Sequence, residues 1–290
     1  MTSEEYFNIL SNVKSFPTIP EIYNRLQTAL EDPETGIEQV AVIIMQDPVL
    51  TAKLIKIANS SFFGFREKVV SIQKAISFLG LNLVKNLTLS TDLLSHFTGT
   101  KKNMDRKGFW QHAVGVAVAA RLIARDYSAS PNQQDELFTI GLLHDIGKTV
   151  TEHYFPEQYN RIINLLDARA RFFWEAEKEV LGLTHAETGR WVAQFWNFDS
   201  KVVNIIAYHH ALEAGFQFIS EREKLYLSII NLSDVIVKDL KYGTSGDRKE
   251  STVNPLAVKF LDLKKSQFED YTRQLRGQLE NIDDFISSQQ

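Results

Sequence analysis

The sequence contains no cysteine in its 290 residues. Disulfide bonds and thiolate metal sites are therefore excluded, and the absence fits a reducing cytoplasm. The longest uncharged run of small apolar residues, 113–120, is far too short to span a bilayer. The first residues, Met-Thr-Ser-Glu-Glu-Tyr, show no basic region followed by an apolar run, so no signal peptide is predicted. These absences predict a cytoplasmic protein without a membrane partner.

The chain also lacks a strong charge of either sign. Its net charge is −4 and its pI is about 6.0. This balance gives no electrostatic footprint for nucleic acid, so a phosphate or a nucleotide would need a local site. Apolar residues make up 44% and charged residues 23%, as in ordinary globular proteins, and the length suggests about two domains.

Helical patterns are present along nearly the whole chain, and strand alternation is hard to find, so the predicted fold class is all-α. Several segments carry helix-start signals, such as a capping box or a proline in the first turn. They are 18–21, Asp47-Pro48, Ser71 (ahead of a stop at Gly80), Thr184–Glu187, and Asp199 or Ser200.

Two polar segments interrupt the helices. Residues 98–107 follow a complete helical unit, which predicts two helical subdomains, 1–100 and 101–290. Residues 242–254 are expected to form a mobile loop inside the second subdomain. A last amphipathic helix is predicted from about Ser266 to the C-terminus.

Histidine is the residue type most suggestive of chemistry. His144 and Asp145 follow an apolar helical run, and Gly147 is predicted to end that helix, which puts the pair at the negative end of the helix dipole. A metal site is favoured there over a polar helix end with chance residues. Lys148, just beyond, could neutralise a phosphate.

The other candidates are ambiguous when each is judged singly. His112 among apolar residues is more often a core side chain, and His185 reads better as an exposed first-turn residue. His209 and His210 end an apolar helix, where burying both unpaired would be costly, so a site and a structural role are about equally favoured. Asp234 fits either a solvated face, with Lys238, or an inward position. His96 and His153 are expected on the surface.

Taken together, the order His…His-Asp…His…His-His…Asp resembles the HD superfamily of metal-dependent phosphohydrolases, and most closely the binuclear HD-GYP branch. The resemblance implies one or two divalent ions, and imidazoles suit Fe, Mn, Zn or Ni. It also implies that Asp145 bridges the ions and that Lys148 meets the phosphate. The implied ligands are His112, His144 and Asp234 for the first ion, and His185, His209 and His210 for the second.

Two features depart from that branch. Gly108 lies one turn before the first histidine, where HD-GYP proteins can supply an extra acidic ligand. The paired histidines are followed by 211–216, Ala-Leu-Glu-Ala-Gly-Phe, without a Gly-Tyr-Pro element.

Four segments of the first half, 16–20, 46–53, 58–64 and 71–80, carry a second resemblance. Together they resemble the HDOD domain (HD-related output domain) of bacterial signalling proteins. By themselves they read as caps, turns and core, and the aromatic residues near Gly64 are predicted to be core rather than a docking patch. The resemblance implies a regulatory protein with a protein signalling partner and a metal site that can bind a phosphorylated small molecule. The alternative is an active phosphohydrolase or phosphodiesterase acting on a nucleotide or cyclic dinucleotide.

Overall fold

A computed structural model describes residues 2–13, 16–17, 20–59, 65, 67–96 and 104–279, with the backbone alone for 90–96. Every regular element in these ranges is a helix, which confirms the predicted all-α class. None of the described helices is long and apolar enough to cross a bilayer. Several predicted features lie outside the described residues. They are the capping box at Thr18, the aromatic turn ending at Gly64, the His96 side chain, segment 98–103 and the helix beyond 279.

The chain divides into two compact units. The larger unit comprises Met1–Phe16 and Phe97–Leu275, and the smaller unit comprises Pro17–His96 and Arg276–Gln290. The first helix therefore groups with the larger unit, whereas the sequence had placed it with residues up to 100.

The smaller unit owes its helix boundaries to local signals. Asp47 accepts hydrogen bonds from the first-turn amides of Val49 and Leu50, and Ser71 accepts one from the amide of Lys74. Gly80, with a φ of 86°, follows the last residue of the next helix, as predicted. The described helices are α2 (Glu21–Ala29), α3 (Ile37–Ile44), α4 (Pro48–Ala58), α5 (Ile72–Leu79) and α6 (Leu81–His96).

The larger unit contains two helices of 19 residues, Arg106–Ala124 and Glu221–Asp239, which pack against each other. Its described helices are α1 (Ser3–Ser11), α7 (Arg106–Ala124), α8 (Pro131–Leu143), α9 (Ile146–Tyr154), α10 (Pro156–Ala168), α11 (Phe173–Leu181), α12 (His185–Phe195), α13 (Ser200–Tyr208), α14 (Leu212–Gly215), α15 (Glu221–Asp239), α16 (Pro255–Phe260) and α17 (Lys265–Leu279, to Leu275 in this unit). Helix α7 packs against α8 and α15, and α12 packs against α9 and α13.

Close helix packing holds this arrangement together. A Cβ added at Gly141 in α8 would lie 2.6 Å from the Cα of Ala117, so only glycine allows α7 and α8 to approach this closely. Helix α1 contributes Tyr6, whose hydroxyl lies 2.9 Å from the Thr151 hydroxyl and whose ring stacks on Phe155. The predicted capping box Thr184–Glu187 starts α12. The Thr184 cap fixes the start of α12, which carries His185.

Candidate metal centre

The His144–Asp145 pair lies at a junction between two helices. Helix α8 ends at Leu143 and α9 begins at Ile146, so His144 follows one helix and Asp145 precedes the next. The prediction that Gly147 ends the helix is wrong, because Gly147 lies in the first turn of α9. A side chain at Gly147 would overlap the carbonyl oxygen of His185. The glycine instead permits the close approach of α9 to the start of α12.

Two groups of side chains have the spacing that a metal ion requires. Within each group, one possible ligand atom from every residue lies within 4.8 Å of the others. The first group is His112 from α7, His144 and Asp234 from α15; the second is Asp145, His185, His209 and His210. All seven side chains of the predicted ligand set therefore fall into these two groups.

The carboxylate of Asp145 faces both groups. Its Oδ1 lies 3.1 Å from the Nε2 of His185 and 3.8 Å from the Nε2 of His209. Its Oδ2 lies 3.4 Å from the Nε2 of His144 and 3.8 Å from the Nε2 of His112. A carboxylate with one oxygen toward each of two imidazole groups is suited to bridge two metal ions.

Hydrogen bonds orient three of the imidazoles with Nε2 toward the centre. The Nδ1 of His144 donates to the carbonyl of Gly141, and that of His209 donates to the carbonyl of Ile206, both at 2.7 Å. The Nδ1 of His185 lies 2.5 Å from Glu177 Oε2. Such partners fix the tautomer of metal-binding histidines and leave the other nitrogen for the ion.

Several polar atoms at the centre are buried without a hydrogen bond. They are the Nε2 atoms of His112 and His209, and the Oδ1 atoms of Asp145 and Asp234. His112 Nε2 and Asp234 Oδ1 are only 3.1 Å apart and still lack hydrogen-bond geometry. Buried polar atoms without a partner are costly. A divalent cation would satisfy these atoms together, so the donor set fits a metal.

Burial and mutual charge keep the imidazoles of His144, His209 and His210 neutral, whereas at His185 burial is outweighed by Glu177, which raises the pKa. Burial lowers the pKa of His144 to about 4, and burial together with neighbouring imidazoles lowers the pKa of His209 and His210 well below the usual value. Burial alone would raise the pKa of Asp145, but His144 and Lys148 outweigh it, and its pKa lies well below the usual range. Neutral imidazoles and an ionised carboxylate are the forms that bind metals.

One expectation for a single residue is wrong, and one open alternative is decided. His185 is 0% exposed rather than a surface residue, because α12 begins against α9 at Gly147. Of the two positions left open for Asp234, the inward one is correct: the residue is buried, and its neighbour Lys238 bonds its Oδ2 at 2.6 Å. His112 is buried, as predicted, and His153 is exposed, as predicted.

Lys148 is also buried, and its ammonium is already bonded. Its Nζ donates to Asp145 Oδ2 at 2.6 Å and to the carbonyl of Ser245 at 2.9 Å, and it lies 5.1 Å from the ring centre of Phe173. An ammonium has three N–H donors, so two of them are used by protein oxygens. The role of Lys148 toward a phosphate stays a prediction.

Sequence reasoning missed three charged residues around the centre. Glu177 accepts hydrogen bonds from the backbone amide of His185 at 2.8 Å and from its ring. Lys238 bonds Asp234 and also Asp247, at 2.7 Å. A signal for Glu177 was present, since it falls on the apolar face of α11 between Phe173 and Val180, where a carboxylate needs a buried partner.

The segment 242–254, which we expected to be a mobile loop, is bonded to its surroundings at several points. The amide of Thr244 donates to the carbonyl of Gly108 at 2.8 Å, and the amide of Arg248 donates to the carbonyl of Arg171 at 3.0 Å. With the end of α15, His112 and Phe268, the segment lines a cavity of about 650 Å³.

Comparison with known proteins identifies related sequences and folds. The HDOD domain model matches residues 16–212, which is more than half of the chain. An uncharacterized protein of Treponema pallidum (strain Nichols) is 27% identical over 205 residues, which are 71% of this chain and 39% of that protein. The chain therefore spans well under half the length of that relative.

Solved structures share the fold at low sequence identity. An HDOD domain protein with unknown function from Geobacter sulfurreducens has a TM-score of 0.78 at 24% identity, over 95% of this chain and 96% of that chain. A candidate signal transduction protein from Marinobacter aquaeolei VT8 has a TM-score of 0.75 at 21% identity, over 94% and 59%. A candidate phosphohydrolase from Shewanella amazonensis SB2B has a TM-score of 0.66 at 22% identity, over 92% and 97%.

Proposed function

Because the chain belongs to the HDOD family, we propose that it is a bacterial signal-transduction protein whose larger unit binds divalent transition-metal ions and a phosphorylated ligand. The observation that carries the proposal is the position of Asp145, with one oxygen toward each of two imidazole groups. The buried atoms without hydrogen bonds at His112, His209 and Asp234 support it further.

The cavity beside the centre supports a phosphorylated ligand. It is lined by His112 and by four basic residues, although Asp239, Asp247 and Glu250 also line it. Ammonium and guanidinium groups make strong charge-assisted hydrogen bonds to phosphate oxygens. The basic lining residues are Lys238, Lys241, Arg248 and Lys249.

The smaller unit supports the signalling part of the proposal. Large apolar side chains are exposed there at Val42, Met45 and Val49, which fall within one short stretch of the chain, and at Val70. Exposed apolar side chains can mark protein interaction sites when they form a contiguous patch. A protein signalling partner is proposed to bind this unit.

The proposal is tested by linked binding. Protein stripped of metal and reloaded with Mn²⁺ is heated with and without inorganic phosphate. We expect Mn²⁺ to raise the Tm, and phosphate to raise it further only when Mn²⁺ is present, since ligands that bind the folded state stabilise it. Asp145→Asn should remove both effects. Equal stabilisation by phosphate in metal-free protein would contradict the proposal.

A second candidate function is metal-dependent phosphoester hydrolysis on a nucleotide or cyclic dinucleotide. It is favoured by the same position of Asp145, because a shared carboxylate between two imidazole groups suits a two-metal site. Divalent ions bound there would supply Lewis-acid stabilisation of a phosphoester. A panel of nucleotides and cyclic dinucleotides separates the two functions. Mn²⁺-dependent turnover that Asp145→Asn abolishes supports the enzyme, whereas Mn²⁺ and phosphate binding without turnover leaves the signalling function alone.

A further inference from the structure

The turn Ser245–Gly246–Asp247 is connected to both carboxylates of the metal centre through two lysines, Lys148 and Lys238. Lys148 joins the carbonyl of Ser245 to Asp145 Oδ2, at 2.9 and 2.6 Å. Lys238 joins Asp247 Oδ2 to Asp234 Oδ2, at 2.7 and 2.6 Å. One turn of the chain thus contacts the lysine partner of each carboxylate, and the side chains of Lys148 and Lys238 are only 2% and 13% exposed.

The connection through Lys238 leaves Asp234 with one oxygen for a metal. Its Oδ2 is bonded to the ammonium, while its Oδ1 faces the Nε2 of His112 without a hydrogen bond. A carboxylate held at one oxygen cannot rotate freely, so the lysine determines the direction of Oδ1. Such indirect partners of metal ligands commonly change metal affinity by 10–100-fold when they are altered.

Asp247 is itself held in place on the opposite side. Its Oδ1 accepts a hydrogen bond from the amide of Phe173 at 2.7 Å. Phe173 begins α11, the helix that also carries Glu177 beneath His185. The ammonium of Lys238 therefore lies between two carboxylates. One is that of Asp247, which the Phe173 amide holds in place, and the other is that of Asp234 in the first metal group.

We infer that Asp247 and Lys238 are positioning residues that link the affinity of the first metal group to the conformation of segment 242–254. The inference rests on the proposed metal site. Neutralising Asp247 leaves Lys238 with Asp234 as its remaining anionic partner, so the ammonium competes more strongly with a cation for that carboxylate. The loss of a buried negative charge near the site acts in the same direction. By linkage, metal binding must also stabilise the segment.

The test compares Asp247→Asn with Asp167→Asn by calorimetric titration of metal-free full-length protein with Mn²⁺. Asp167 is a matched control, because it bonds Arg248 of the same segment at 3.2 Å but its side chain is 59% exposed and contacts neither lysine. We expect Asp247→Asn to weaken Mn²⁺ binding about tenfold or more, and Asp167→Asn to leave it unchanged.

Hydrogen exchange provides a second readout, which can be measured on the wild-type protein alone. Mn²⁺ should increase the protection of the Thr244 and Arg248 amides in the wild-type protein, and this increase should be smaller in Asp247→Asn. If Asp247→Asn does not fold, the wild-type exchange measurement decides alone.

The outcomes separate the inference from the function on which it rests. Wild-type protein that binds no Mn²⁺ overturns both. Wild-type affinity retained in Asp247→Asn overturns only the link to the segment. An equal loss of affinity in Asp167→Asn overturns the link as well, because any loosening of the segment would then weaken Mn²⁺ binding. The link is also overturned if Mn²⁺ does not increase the protection of the two amides.

Discussion

The two units differ most in what they bury. Among the described residues of the smaller unit, the buried polar side chains are Asn86 and Thr88, neither of which ionises. The larger unit buries a connected set of charged and titratable groups. These are His112, His144, Asp145, Lys148, Glu177, His185, His209 and Asp234.

The difference concerns the free-energy cost of burying charged groups, which falls on the larger unit. Buried charges are expensive, and a core of apolar side chains with similar volume is often at least as stable. The smaller unit demonstrates that the chain can fold helices around an ordinary apolar core. A costly polar cluster in one unit alone is therefore better explained by a site than by stability.

The largest effect should come from removing the carboxylate that faces both groups. We expect Asp145→Ala to abolish bound metal, because both groups lose their shared oxygen donor. Elemental analysis and Mn²⁺ titration measure this. Circular dichroism provides the control for folding, and a folded variant that keeps its metal would place the site elsewhere.

The next effect concerns the packing beneath His185. Gly147→Ala should lower the free energy of unfolding by about 1–3 kcal/mol or more, because the added methyl overlaps the carbonyl of His185. Chemical denaturation measures it. The matched control is Gly277→Ala in α17, where an added Cβ meets nothing within 4 Å. Equal stability of the two variants would show that α9 and α12 can separate at no cost.

A smaller effect is expected at the partner of His185. Glu177→Gln should weaken metal binding about 10–100-fold, because a neutral amide oxygen is a weaker acceptor than the charged carboxylate, whose Oε2 accepts from both the ring and the backbone of His185. Glu179→Gln on the same helix is the control, since Glu179 is 57% exposed and pairs with Arg171. Identical Mn²⁺ affinities in the two variants would remove Glu177 from the site.

The smallest effect tests the smaller unit. Asp47→Ala removes the side chain that caps α4 and should cost about 1 kcal/mol of stability. Metal affinity should be unchanged. Thermal unfolding and Mn²⁺ titration give the two values, and a loss of affinity would mean that the difference between the units is not a difference in function.

Local features were predictable from the sequence. Asp47, Ser71 and Thr184 start their helices where the sequence indicates, because a cap depends on residues within one turn. The all-α class was predictable from the helical spacing of apolar residues along the chain. The order of the histidines indicated which side chains could form a site, and the structure brings those side chains together.

Burial and indirect partners were not predictable, because they depend on contacts distant in sequence. The burial of His185 requires the approach of α9 at Gly147. Asp247 contacts Lys238 and Phe173 from a segment that reads as a polar loop. A period of three and four residues also could not decide whether Asp234 and Lys238 face solvent or each other.

The most direct test of a metal site is the metal content of the full-length protein purified without chelator. Elemental analysis should find between one and two equivalents of a divalent transition metal per chain, and treatment with chelator should lower the Tm. Less than about half an equivalent per chain, with no change in Tm on adding Mn²⁺, would contradict the account.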